Sequence, residues 1–162
     1  MQTGYPRADA RDDFDRALRQ ARRAQLTEWL RGRPFSPDRL PVLGEVTIVS
    51  GAGASGHGAR RGQAGQELVP IERIVGSAEP ILCFDRQFRP TSQVPRQRFE
   101  RIAADVRRGR GMDPVELYRC GGGYYVVDGH HRIAVARALG ERSVWATVTE
   151  VRPSHPGTHR AG

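Results

Sequence analysis

Nine consecutive residues constrain this chain more than any others: Tyr124-Tyr125-Val126-Val127-Asp128-Gly129-His130-His131-Arg132. Four strand-forming apolar residues stop abruptly at Asp-Gly, a step that allows a sharp change of direction and close approach of another group to the backbone. The strand is apolar on both faces, which predicts an inner strand covered on both sides. A helix follows, because Ile133, Ala134, Val135, Ala136, Ala138 and Leu139 are nearly all types that bury, and Gly140 ends the run. His130, His131 and Arg132 then put three cationic or potentially cationic groups in the first turn, where the helix dipole disfavours positive charge. An anion reverses that penalty, since free amides, imidazole donors and a guanidinium fork all suit phosphate oxygens. Asp128 has three readings: an N-cap, a group that orients a histidine, or a ligand to a metal bridging phosphates. The same residues also admit a plainer arrangement, in which Asp128 caps the helix, Arg132 pairs with it and both histidines face solvent.

The surrounding sequence supplies a small body for this turn. Leu68-Val69-Pro70-Ile71 reads as a first strand, placed at an edge by its proline, and Ile74-Val75-Gly76-Ser77 reads as a turn away from it. Residues 81–88 are irregular or briefly extended. Pro95 opens a helix through Arg107, with Phe99, Ile102, Ala103 and Val106 on one face and Gly109 and Gly111 closing it. Residues 115–120 form a second strand, Gly121-Gly122-Gly123 a tight turn, residues 124–127 a third strand and residues 144–151 a last one. The order strand, helix, strand, strand, helix, strand predicts an α+β domain over residues 67–151, a mixed sheet with packed helices.

Residues 1–33 form an N-terminal helical arm. Phe14, Ala17, Leu18, Ala21, Leu26, Trp29 and Leu30 fall largely on three- and four-residue steps between residues 8 and 31, with aspartates in the first turn and arginines at the end. Such a stripe must be buried on the main domain, on a second copy of the chain as a homodimer, or on another partner; docking on the main domain is the expectation. Residues 34–66 are a Gly/Pro-rich connector containing a short strand, Glu45-Val46-Thr47-Ile48-Val49. The string from Gly51 to Gly56 satisfies G-x-G-x-x-G, but no apolar periodicity follows it, so it reads as linker rather than as a dinucleotide site. Residues 152–162 read as a disordered tail.

Net charge is +8, and every fixed cation is an arginine. The lack of lysine beside abundant Ala, Arg and Gly suggests coding bias in a GC-rich bacterial genome. A domain this basic attracts polyanions whatever the origin of its arginines. The arginine-rich faces of residues 9–31 and 95–110 are therefore candidates for nucleic-acid (DNA) contact, although acidic residues interleave with them and no helix-turn-helix is present. Cys83 and Cys120 match no metal spacing and read as free, mostly buried thiols. No apolar run approaches the roughly 20 residues of a membrane span and no signal core follows Met1, so the expectation is a soluble, cytoplasmic protein without membrane contact.

Val127-Asp128-Gly129-His130-His131-Arg132, the small-residue helix behind it and the opening Leu68-Val69-Pro70-Ile71-Glu72-Arg73-Ile74 resemble the ParB/sulfiredoxin superfamily over residues 67–151. The resemblance implies a domain whose Gly-x-x-Arg box binds nucleotide phosphates through Gly129, His130, His131 and Arg132, with Ser77 adding a contact. Sulfiredoxins carry a catalytic cysteine where this chain has His130, which argues against their chemistry. Partitioning ParB proteins, CTP-dependent DNA clamps, have Gly-Glu-Arg-Arg here and need further domains that nothing after Val151 supplies. The box most resembles the Asp-Gly-His-His-Arg of free serine kinases with this fold, where a glutamate after the first strand acts as base. Glu79 falls near that place and Asp85 is its rival. By this resemblance the ligand is ATP, ADP or CTP with Mg²⁺, Asp128 holds the metal, and Glu79 and Asp128 are the catalytic pair. Transfer, hydrolysis and simple conformational switching stay open, as do a non-catalytic accessory role at nucleic acid and a scaffold that binds partners through the N-terminal helix.

Overall fold

The computed structural model describes residues 5–31, 40–44, 46–48, 65–91 and 94–153. Helices α1 (Pro6–Leu30), α2 (Arg96–Arg107) and α3 (His130–Leu139) accompany six strands: β1 (Val46–Ile48), β2 (Gly65–Pro70), β3 (Ile74–Ser77), β4 (Val115–Cys120), β5 (Gly123–Asp128) and β6 (Ser143–Pro153). The class is α+β, with a single mixed sheet in the order β1-β6-β4-β5-β3.

Strand β6 is the spine. Along its first half it receives β2 antiparallel, from Gly65 opposite Val148 to Pro70 opposite Ser143, and at its end it receives β1, with Val46 opposite Pro153. Its other side takes β4 in parallel. β4 and β5 form an antiparallel hairpin turned at Gly121 and Gly122, whose φ values of 57° and 83° suit glycine. Pro70 closes an edge strand, as its missing N–H requires.

Residues 74–77, expected to turn away, instead form β3, parallel to β5. Gly76 misled because a glycine inside a strand also marks close backbone approach. A Cβ there would lie 2.3 Å from the Pro41 carbonyl oxygen. The segment around Val42 runs beside β3: Ser77 N–H donates to Pro41 O and Leu43 N–H to Ser77 O, each at 2.9 Å.

All three helices lie to one side of the sheet, so only one sheet face is buried. Val69, Val115, Leu117, Val126, Val144 and Ala146 meet Phe99, Ala103, Ile133 and Ala136 in a continuous core. Val75, Val127 and Trp145 are exposed on the other strand positions. The expectation that β5 is covered on both sides is therefore corrected. Aromatic and β-branched residues are also good formers of a wet sheet face, and the apolar run looked the same in either case.

α1 packs on α2 and α3. Ala10, Phe14, Ala17 and Ala21 are buried, and Phe14 meets the edge of Phe99 at 5.3 Å between centroids. Asp13 is buried within this contact and accepts Arg107 Nε and Nη2 at 2.8 and 2.9 Å, a paired arrangement that a buried carboxylate needs. Leu26 and Leu30, part of the expected stripe, are exposed. Cys83 is half-buried and Cys120 buried, and the two form no disulfide. No helix among the described residues is long and apolar enough to cross a membrane. The glycine string at residues 51–56 and the tail from residue 154 lie outside the described residues.

Candidate functional site

β5 delivers the chain to the site and Gly129 redirects it. Gly129 has φ 107° and ψ 18° as the N-cap of α3, and no side chain caps the helix. A Cβ at Gly129 would lie 2.6 Å from Val115 Cγ1, so both backbone angle and space demand glycine. The first helical bond runs from Ile133 N–H to Gly129 O at 3.0 Å. The amides of His130, His131 and Arg132 precede it, and the helix itself offers them no acceptor.

Asp128 does not cap these amides. Its carboxylate pairs with Arg132, whose Nη1 also donates to the carbonyls of Pro114 at 2.7 Å and Asp113 at 3.2 Å. Arg132 thus ties the start of β4 to the start of α3.

His130 is buried beneath the turn, with Nε2 2.9 Å from Ser77 Oγ. Ser77 is fully buried at the end of β3, and its Oγ accepts the Glu79 N–H at 3.3 Å. Phe84 stacks on His130 at 6.2 Å between centroids and meets His131 edge-on at 5.2 Å. Phe88 flanks His130 at 6.4 Å. Burial pushes the His130 imidazole down to about 4; Asp128 opposes this and His131 reinforces it. His131 is also lowered, first by burial and then by the charge of Arg98. Of the three cationic or potentially cationic groups expected in the first turn, both rings are held toward the uncharged form, because desolvation outweighs the neighbouring carboxylate. Positive potential at this helix start comes from amides and arginines.

A cleft of about 910 Å³ opens above the turn, between α2 and α3. Asp128, Gly129, His130, His131 and Arg132 line it, together with Arg98 and Arg101 from α2, the carboxylates of Asp105 and Asp113, and apolar Phe84, Ile102 and Met112. His131 keeps Nε2 buried without a hydrogen-bond partner among the described residues.

The structure therefore brings the five residues of the box together and joins Ser77 to them from below through His130. Glu79 is exposed and does not line the cleft; its link to the site is its backbone N–H on Ser77. Asp85 is buried and committed elsewhere, accepting Gln87 and Arg89 amides at 2.9 Å and Arg89 Nε at 2.7 Å. Phe84 and Phe88 were missed, and Arg98 and Arg101 were expected only as part of a nucleic-acid face over residues 95–110. The two arginines recur at helical spacing on the polar face of α2, a signal that an arginine-rich chain hides. Phe84 lies in an irregular segment whose sequence carries no periodicity.

Among the described residues no group of three or more His, Cys, Asp or Glu is arranged to hold a metal ion. Mg²⁺ commonly takes only one or two protein carboxylates, with phosphate oxygens and water completing its shell. Asp128, with Asp113 on the same cleft, fits a metal arriving with a phosphate ligand, not one held by protein alone. Some arginines of residues 9–31 and 95–110 are internally paired: Arg96 with Asp15 and Glu100, Arg107 and Arg16 with Asp13, Arg108 and Arg110 with Asp105.

No family model matches the chain, and no curated protein matches it. Among solved structures it is similar to a sulfiredoxin from Arabidopsis thaliana, with 17% identity and a TM-score of 0.42 over 54% of this chain and 86% of that one. It is also similar to a Pnob8-like ParB-N domain, with 18% identity and a TM-score of 0.35 over 69% of this chain. The match spans only 33% of that ParB-N chain.

Proposed function

We propose that the cleft at the start of α3 binds the phosphates of a nucleotide, ATP, ADP or CTP, as a phosphotransferase or nucleoside triphosphatase. The observation that carries this reading is the uncapped helix start: three amides without an intrahelical acceptor open onto a large cleft edged by Arg98, Arg101 and Arg132. A phosphate there accepts amide N–H bonds and meets the positive end of the helix dipole. His130 and His131 are assigned to the phosphate oxygens, each with the single N–H of a neutral ring placed by its tautomer, and the Ser77 contact orients His130. Asp128 would hold Mg²⁺, which when bound neutralises phosphate charge. For transfer, the acceptor hydroxyl needs a carboxylate base; Glu79, exposed two residues beyond β3 and outside the cleft lining, is assigned that role on the resemblance of its position in the sequence.

The experiment is a thermal-shift and calorimetric series of the full chain against ATP, ADP, CTP and GTP, with and without Mg²⁺, and against inorganic phosphate. A nucleotide-dependent rise in Tm that disappears in His131→Ala supports the site. Arg132→Ala should act likewise, with some loss of stability because Arg132 also holds the Asp113 and Pro114 carbonyls. Glu79→Gln should bind nucleotide normally while losing transfer. No stabilisation by any nucleotide sinks the reading.

A further inference from the structure

Helices α1 and α2 border a groove of about 430 Å³ whose charged lining is Arg7 and Arg11 from α1, Arg101 and Glu100 from α2, and Arg108 at the end of α2. Gln97 and Ala104 complete it. Four arginines thus face one glutamate, an excess of three positive charges. Ion pairing does not remove that excess. Glu100 lies closer to Arg96, at 2.6 Å, than to Arg11, at 3.9 Å, and Asp105 serves both Arg108 and Arg110. Counting in these outside partners adds Arg96 and Arg110 on one side and Asp15 and Asp105 on the other, so the excess stays at three. Arg7 and Arg101 make no ion pair among the described residues. Arg7 and Arg11 repel each other at four-residue helical spacing, and Arg7 stands in the first turn of α1, where the helix dipole disfavours a cation. A concave surface concentrates this potential, and a bound anion relieves each of these costs.

We propose that this groove binds a diphosphate group, either the free ion or the terminus of a larger molecule whose body stays in solvent. Charge sets the number of phosphates. Two phosphate groups carry about three to four negative charges near neutral pH, which matches the excess, whereas a single phosphate leaves part of it uncompensated. Guanidinium forks from two helices suit the closely spaced oxygens of such a group. The rest of the lining sets what else the ligand can carry. Ala104 is the one lining residue with an apolar side chain, and no aromatic ring is present on which a base could stack. Recognition is therefore of the phosphates themselves, with the Gln97 side-chain amide as a neutral donor. Only Arg101 lines both this groove and the box cleft, so the inference stands whether or not the box takes a nucleotide.

The test is isothermal titration calorimetry of the full chain, without Mg²⁺ and at constant ionic strength, with pyrophosphate, inorganic phosphate, ADP and a short DNA duplex. Pyrophosphate should bind roughly tenfold tighter than phosphate. The double variant Arg7→Gln/Arg11→Gln should weaken pyrophosphate by roughly tenfold. Both positions are exposed, so the melting temperature should stay close to that of the wild type. Arg19→Gln/Arg23→Gln removes the same charge from exposed positions of α1 outside the groove, and should change the affinity by less than about twofold. If ADP loses affinity in the Arg7→Gln/Arg11→Gln variant as pyrophosphate does, the groove takes the terminus of a larger molecule; if only pyrophosphate does, it takes the free ion. No binding of pyrophosphate, phosphate bound as tightly, or equal losses in the two double variants would each overturn the proposal. So would pyrophosphate binding that ignores Arg7 and Arg11, or a duplex held through these two arginines in its place.

Discussion

Lowering the pH from 7.5 to 4.5 should destabilise this fold by a predictable amount through one side chain. In the unfolded chain His130 takes up its proton near 6.5, whereas in the fold it does so only near 4, because the buried ring between Phe84, Phe88 and Ser77 resists charge. Between these values the unfolded state binds more protons, so stability falls as pH falls. The contribution is fully present above pH 6.5, is lost progressively below it and levels off under about 4. Each pH unit is worth about 1.4 kcal/mol, so the full interval amounts to about 3 kcal/mol, with about 2 kcal/mol gone by pH 5. That is a large part of the roughly 5–15 kcal/mol typical of a domain. Urea unfolding followed by circular dichroism, at constant ionic strength and half-unit pH steps, measures it. Carboxylates elsewhere also respond to acid, so the decisive quantity is the difference from His130→Gln, which does not titrate. The wild-type curve should fall more steeply than the variant between pH 6.5 and 4.5, by about 2 kcal/mol in all. Parallel curves would refute the argument, as would a His130 ring signal titrating near 6.5.

Gly129→Ala should cost about 2–4 kcal/mol, combining a left-handed backbone penalty with collision against Val115, and should depress the melting temperature measured by calorimetry. Arg107→Ala removes both bonds to buried Asp13 and should cost about 3–5 kcal/mol, detected as easier proteolysis within α1 at native temperature. Gly76→Ala pushes Pro41 away from β3; exchange of the Leu43 amide hydrogen should accelerate by roughly tenfold or more while β4 and β5 amides stay protected.

Much of this architecture was legible because the relevant signals are local. The hairpin of β4 and β5 announced itself through Gly121-Gly122, the end of α3 through Gly140, and the start of α2 through Pro95. The box at Asp128 to Arg132 was legible for the same reason: a strand stop, a glycine and a helix start adjoin in sequence. What failed depended on contacts distant along the chain. Gly76 looked like a break because Pro41, whose backbone it admits, is far away in sequence. The charge state of His130 follows from Phe84, Ser77 and Phe88, none of which adjoins it. Of the α1 stripe, Phe14, Ala17 and Ala21 were placed correctly, while Leu26 and Leu30 lie beyond the reach of α2 and α3. Ala10 and Asp13 were not expected inside, and Asp13 is buried only because Arg107 meets it there.

The arrangement around β6 bears on how the molecule reaches its native state. β2, β1 and β4 all find their partner in a strand made after them, so the sheet cannot close while synthesis is still upstream of residue 143. Until then the hairpin of β4 and β5 and the arms of β2 stand with unpaired edges, the condition under which chains associate wrongly. Long-range pairing of this kind also raises contact order and slows folding relative to helical bundles of equal length. During translation, then, this domain has its greatest need of chaperone protection just before β6 emerges, and α1, made before α2, has nothing to dock against until α2 follows.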